Sequence, residues 1–153
     1  MINFVQDPIS AVLARARCSG SYKKKGRHMK IIDMHCDTLL ECYQKKLPLR
    51  NGPYQINLEK LKRGGCLAQC FAIFVVSNDA ADRCKVQAEP YEFYRQMVAL
   101  YQREIGANPD LIAPALSAAD IETHREKGLM SSILTVEDAV AVERAIREAG
   151  TPL

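Results

Sequence analysis

Lys30-Ile31-Ile32-Asp33-Met34-His35-Cys36-Asp37 opens the body of this chain with a short apolar, β-branched run that turns polar at its end. The run predicts a strand over 30–36, because β-branched side chains suit a pleated, half-buried surface. Two later segments share its character. Cys66 to Val76 is almost continuously apolar, the pattern of a strand buried on both faces. Met130 to Val136 forms a third strand and runs straight into Glu137. Helical stretches lie between them. One is expected over about 38–46, and a short one through Leu58 and Leu61, capped by Asn57 and ended by Gly64-Gly65. Pro48 to Pro53, with Asn51-Gly52 inside, reads as a loop. Pro90 opens the longest helix, to about Gly106, and Tyr91, Tyr94, Val98 and Tyr101 recur along it at the spacing of a core-facing stripe. Another helix starts at Ser117 and ends near Gly128, and a last one runs from Asp138 to Ala149, closed by Gly150. Strand and helix in alternation predict a parallel α/β sheet with right-handed crossovers.

The 153 residues, 48% hydrophobic and 25% charged, lie near the averages for a globular domain, which excludes wholesale disorder and collagen-like repeats. No apolar run reaches the roughly 18–20 residues of a membrane-spanning helix. An eight-unit (β/α) barrel needs roughly 200–250 residues or more, so a chain of this length is expected to hold part of one.

Charge divides the chain at residue 30. Residues 1–30 carry seven Lys/Arg against one acid, Asp7, a balance of +6, while the remainder has 14 basic and 17 acidic residues, −3. Residues 1–28 therefore read as a basic, poorly ordered N-terminal extension, and residues 29–153 as the folded unit. No nucleic-acid recognition motif accompanies the charge, so no nucleic-acid partner is expected. The apolar stretch Ile9 to Ala14 precedes the charges, the reverse of an export signal. A cytoplasmic location follows as the expectation. There Cys18, Cys36, Cys42, Cys66, Cys70 and Cys84 read as free thiols, packed as small hydrophobes rather than joined in disulfides.

In parallel α/β folds the chemistry collects at the C-terminal ends of strands. Alternation along the first strand turns Asp33, His35 and Asp37 to one face. A His-x-Asp pair at a strand end offers one imidazole nitrogen and one carboxylate to a common point, as hard-to-borderline metals such as zinc require. Asp33 sits one layer deeper, as a partner that orients a ligand. A solvated His35 and an Asp37 that caps the helix from Thr38 are the competing reading. Glu137, at the end of another strand, adds a second carboxylate at the same level; its competing reading is an acid at a helix N-terminus, favoured by the dipole.

Three segments resemble the renal (membrane) dipeptidase family, the M19 metallopeptidases. Ile31 to Thr38 looks like that family's first strand, Leu58 to Val75 is similar to its following helix and second strand, and Ser131 to Ala139 is similar to its third strand with the glutamate that ends it. The resemblance covers about residues 29–149. It implies the N-terminal three or so β/α units of a (β/α)8 TIM barrel, with two zinc ions at the mouth of the complete site. Carried over, His35 and Asp37 are terminal zinc ligands, and Glu137 is the catalytic bridging ligand. The implied reaction is hydrolysis of a dipeptide by a hydroxide held between the metals.

The chain departs from that pattern in three ways. Asp138 stands where the family commonly has glycine, the histidines that hold the second zinc come from later strands, and the sequence stops at Thr151-Pro152-Leu153, where a fourth strand is expected. The remaining histidines here are His28, in the tail, and His124, in a helix. At most one zinc is therefore expected for this chain, with little or no hydrolysis. The alternative is a non-catalytic, truncated barrel module that forms a homo-oligomer, or pairs with another chain, through its exposed sheet edges.

Overall fold

The computed structural model describes residues 30–75 and 88–137. The N-terminal extension, Cys18, His28, Val76, Cys84, Asp138 and the helix expected from Asp138 to Ala149 lie outside the described residues.

Four strands form one parallel sheet. They are β1 (Ile31–Asp33), β2 (Cys66–Phe74), β3 (Ile112–Pro114) and β4 (Met130–Glu137), in the spatial order β1-β2-β4-β3. The helices are α1 (Thr38–Lys45), α2 (Leu58–Gly64), α3 (Pro90–Gly106) and α4 (Ala118–Glu126). The long register between β2 and β4 runs from Ala68 opposite Ser131 to Phe74 opposite Glu137. It fixes Glu137 at the end of the sheet's best-paired strand.

Two expectations need correction. The first strand is continuous only over Ile31–Asp33, not about 30–36; Met34 and His35 leave the ladder, and the Cys36 carbonyl bonds β2 again. A fourth strand, β3, was not expected. Its three residues pair with Met130–Ser132 on the outer edge of β4, and the Ala115 N–H extends the contact to the Ser132 carbonyl at 2.8 Å. Three residues cannot display a period, and Pro114 at the end reads as a turn; the neighbouring β4 backbone makes this segment a strand.

The helix ends follow the local chemistry. The Asn57 side chain accepts the Lys60 N–H at 2.9 Å, capping α2, and Gly65 closes that helix in the left-handed region at φ 76°. Gly52 is required by space: a Cβ there would lie 2.6 Å from the Pro48 carbonyl oxygen and 2.2 Å from the Tyr54 ring. Ser117 caps α4 with a reciprocal box, its hydroxyl accepting the Asp120 N–H while the Asp120 carboxylate accepts the Ser117 N–H. Those backbone donors, first the N–H of Leu116, hold the Asp120 carboxyl below its usual range. Ser117→Ala is expected to cost about 1 kcal/mol, read as a lower urea midpoint at unchanged slope.

The core lies between one face of the sheet and helices α1 to α3. It includes the fully buried Leu39, Leu58, Phe71, Ile73, Phe93 and Met97. Phe93 meets Tyr43 edge-on with ring centroids 5.2 Å apart, tying α3 to α1. The buried face of α3 is Phe93, Met97, Leu100, Tyr101, Glu104 and Ile105, so the expected stripe is corrected: of its members only Tyr101 is buried, while Tyr91, Tyr94 and Val98 lie half-buried on the flank. Tyrosines tolerate a wet edge for their hydroxyls, whereas Phe and Met do not.

Four of the expected free thiols, Cys36, Cys42, Cys66 and Cys70, are free and buried. Burial pushes Cys42 and Cys66 up to about 11 from the ordinary 9.0. A raised thiol stabilises the fold fully below pH 9.0 and loses that contribution as pH rises through about 11. The urea midpoint should fall across that window, and Cys42→Ala and Cys66→Ala should each flatten the fall.

Candidate metal centre

The site grows from two strand ends. β1 stops pairing where Asp33 lies opposite Gln69, and the chain rejoins the sheet at Cys36, whose carbonyl accepts the Ala72 N–H at 3.0 Å. Met34 and His35 stand clear of the ladder between those points. The Asp33 carboxylate accepts the backbone N–H of His35 at 3.2 Å. Asp37 takes the N-cap position of α1, but its side chain makes no capping bond; the capping reading is not what its carboxylate does. From the far strand, the Glu137 carbonyl accepts the Val75 N–H at 3.2 Å, which pins the end of β4 beside β2.

These supports bring three of the sequence-selected residues together. His35 Nδ1 lies 3.0 Å from Glu137 Oε1, and His35 Nε2 lies 3.4 Å from Asp37 Oδ2. One donor atom from each residue falls within 4.8 Å of the others. Tetrahedral zinc with bonds near 2.0–2.1 Å sets its donors about 3.3 Å apart. The two short contacts use different ring nitrogens, so to hold one ion the side chains would rotate until a single nitrogen and both carboxylates share that spacing. One imidazole and two carboxylates are a donor set suited to zinc or a harder metal. The three side chains are about half exposed, at 50%, 58% and 43%, and open to a ligand. Among the described residues, no lysine or arginine pairs with Asp37 or Glu137.

Two nearby candidates stay out. Cys36 sits between His35 and Asp37 in sequence, yet its side chain is buried, and burial, together with Asp33 and Asp37, raises its thiol above the ordinary range. It stays protonated and is a poor ligand. His124, on α4, shares a hydrogen bond of 3.0 Å with Ser131 at the opposite end of β4, about 20 Å of strand away from Glu137. Asp33 does not touch the His35 ring; its contact is with the backbone, which residue types alone do not reveal.

The sequence pattern of the membrane dipeptidases, peptidase family M19, matches residues 23–148. This chain belongs to family M19. No curated protein matches it. Among solved structures it is similar to a metallopeptidase from Rhodobacter sphaeroides liganded with a phosphinate mimic of the dipeptide L-Ala-D-Ala, at TM-score 0.61 and 20% identity, over 80% of this chain and 44% of that one. It is also similar to the dipeptidase AC, an M19 metallopeptidase, at TM-score 0.61 and 19% identity, over 82% of this chain and 41% of that one. The M19 chain thus spans less than half the length of either. At these identities the likeness shows the fold: the parallel α/β architecture of the barrel metallopeptidases. In this M19 chain, His35, Asp37 and Glu137 are the cluster of described residues whose donor atoms could hold a metal ion.

Proposed function

We propose that this chain supplies the N-terminal metal-binding part of a zinc dipeptidase. The observation that carries the reading is the meeting of His35, Asp37 and Glu137 at the ends of β1 and β4 in an M19 chain. His35 would offer one ring nitrogen, Asp37 would close the near side, and Glu137 would reach from the far strand as the bridging carboxylate. With no described cation against them, both carboxylates are set to hold a positive ion. Bound zinc supplies Lewis-acid chemistry, bringing the pKa of water toward neutrality and polarising a carbonyl. The substrate class is a dipeptide, including one with a D-residue second. Four free, buried thiols favour a reducing, cytoplasmic setting, and among the described residues no helix is long and apolar enough to cross a membrane.

Taken by itself, the 153-residue chain is expected to bind at most one zinc and to hydrolyse dipeptides slowly or not at all. The test is the intact mass of the native gene product, with dipeptide turnover measured on that product in zinc. A product roughly twice 17.1 kDa, as a barrel requires, whose turnover is lost in Glu137→Gln, is the expected result. Turnover that survives both His35→Ala and Glu137→Gln would overturn the reading.

A second reading, a non-catalytic module that pairs through its edge, draws on one observation. Ile31, Ile32 and Met34, on and just after edge strand β1, are 44%, 51% and 70% exposed. A defined oligomer by sedimentation, without zinc uptake, would favour it.

A further inference from the structure

The geometry points to Asp33 as the positioning residue that aims His35, acting through a backbone N–H rather than through the imidazole. The inference rests on the metal-site reading and adds a residue to it. Its basis is the break in β1. Ladder pairing ends at Asp33 and resumes with the Cys36 carbonyl, so among the described residues no neighbouring strand pairs with the backbone of Met34 and His35. Met34, 70% exposed, shows how far this stretch stands out.

One bond closes the bow: the His35 N–H donates to Asp33 Oδ1 at 3.2 Å. An aspartate that accepts from the residue two positions on makes a local turn, and it sets the direction in which that residue's side chain leaves the chain. Here that direction carries the ring past β2, the strand between β1 and β4, to within 3.0 Å of Glu137. Without the acceptor, the N–H turns to water, and the ring loses the orientation that lets it share an ion with a carboxylate two strands away.

Asp33 could instead act by its charge, as one more anion near the site, and two substitutions separate these roles. Asp33→Asn keeps the Oδ1 acceptor and removes the charge, whereas Asp33→Ala removes both. The measurement is zinc affinity by chelator competition, with the absorption spectrum of the cobalt-loaded chain as a report on ligand geometry. For Asp33→Ala, affinity is expected to fall about tenfold, the scale of losing a group that orients a ligand, and the cobalt spectrum should change. Asp33→Asn should bind as the parent does, with the parent's spectrum. A purely structural role would lower the melting temperature and leave the cobalt spectrum alone.

Equal losses in both variants would show that charge acts, and parental behaviour in both would show that Asp33 does nothing; either overturns the inference. If Asp33→Ala does not fold, the Asn variant decides, since an altered cobalt spectrum there also overturns it. His35→Ala is the control on the underlying reading: undiminished zinc binding in that variant would remove the metal site itself, whatever Asp33 does.

Discussion

Replacing His35 with alanine is expected to weaken zinc binding by more than about 100-fold, beyond the 10–100-fold typical of losing a group that only orients a ligand. His35 is the sole imidazole in the cluster and lies between the two carboxylates, 3.4 Å from Asp37 and 3.0 Å from Glu137. Without it two carboxylates remain, a set that zinc shares with magnesium and calcium and holds with little preference. The fold should survive, because the side chain is half exposed and outside the core. Zinc titration against a chromophoric chelator, with thermal melting as a control, checks both halves. Zinc affinity within a few-fold of the parent would mean that the ion sits elsewhere or nowhere.

The largest effect on stability is expected from Phe71→Ala, at about 3–5 kcal/mol. Phe71 is fully buried on β2, which is paired on both sides, and its ring lies 6.4 Å from that of Tyr101 on α3. Removing it leaves a cavity where sheet and helix meet, and neither can collapse inward without breaking the register with β4. Whole-domain stabilities of roughly 5–15 kcal/mol leave little margin for such a loss. Urea denaturation should show a large drop in midpoint. A cost under about 1 kcal/mol would mean that the helices do not pack on this face of β2 in solution.

Much of this architecture is legible without coordinates, for local reasons. The apolar run at Cys66–Val76 can be satisfied only by burial on both faces, and β2 occupies Cys66–Phe74 of it. Asn57 and Ser117 declare helix starts, because their side chains replace backbone acceptors that a first turn lacks. Cys36, Cys42, Cys66 and Cys70 are free and buried, as apolar sequence surroundings suggest for small hydrophobes.

Other features depend on neighbours distant in sequence. β3 is three residues with no period of its own, and it becomes a strand because Met130–Ser132 offers it an edge. Two apolar stripes are available on α3, and the sheet selects the one led by Phe93 and Met97, since rings without a polar atom gain more from complete burial than tyrosines do.

The candidate centre divides in the same way. By itself the sequence determined which donors stand at which strand ends: His35 and Asp37 after one apolar run, Glu137 at the end of another. Residue type and alternation are local properties, and each segment carries them alone. Only the tertiary structure decided that the three meet, because that required β2 to lie between β1 and β4 in parallel register. It also decided that β1 breaks after Asp33, so that Asp33 holds a backbone N–H and not the ring. Where a ladder stops depends on hydrogen-bond partners that the folded chain supplies from elsewhere, and no local pattern encodes them.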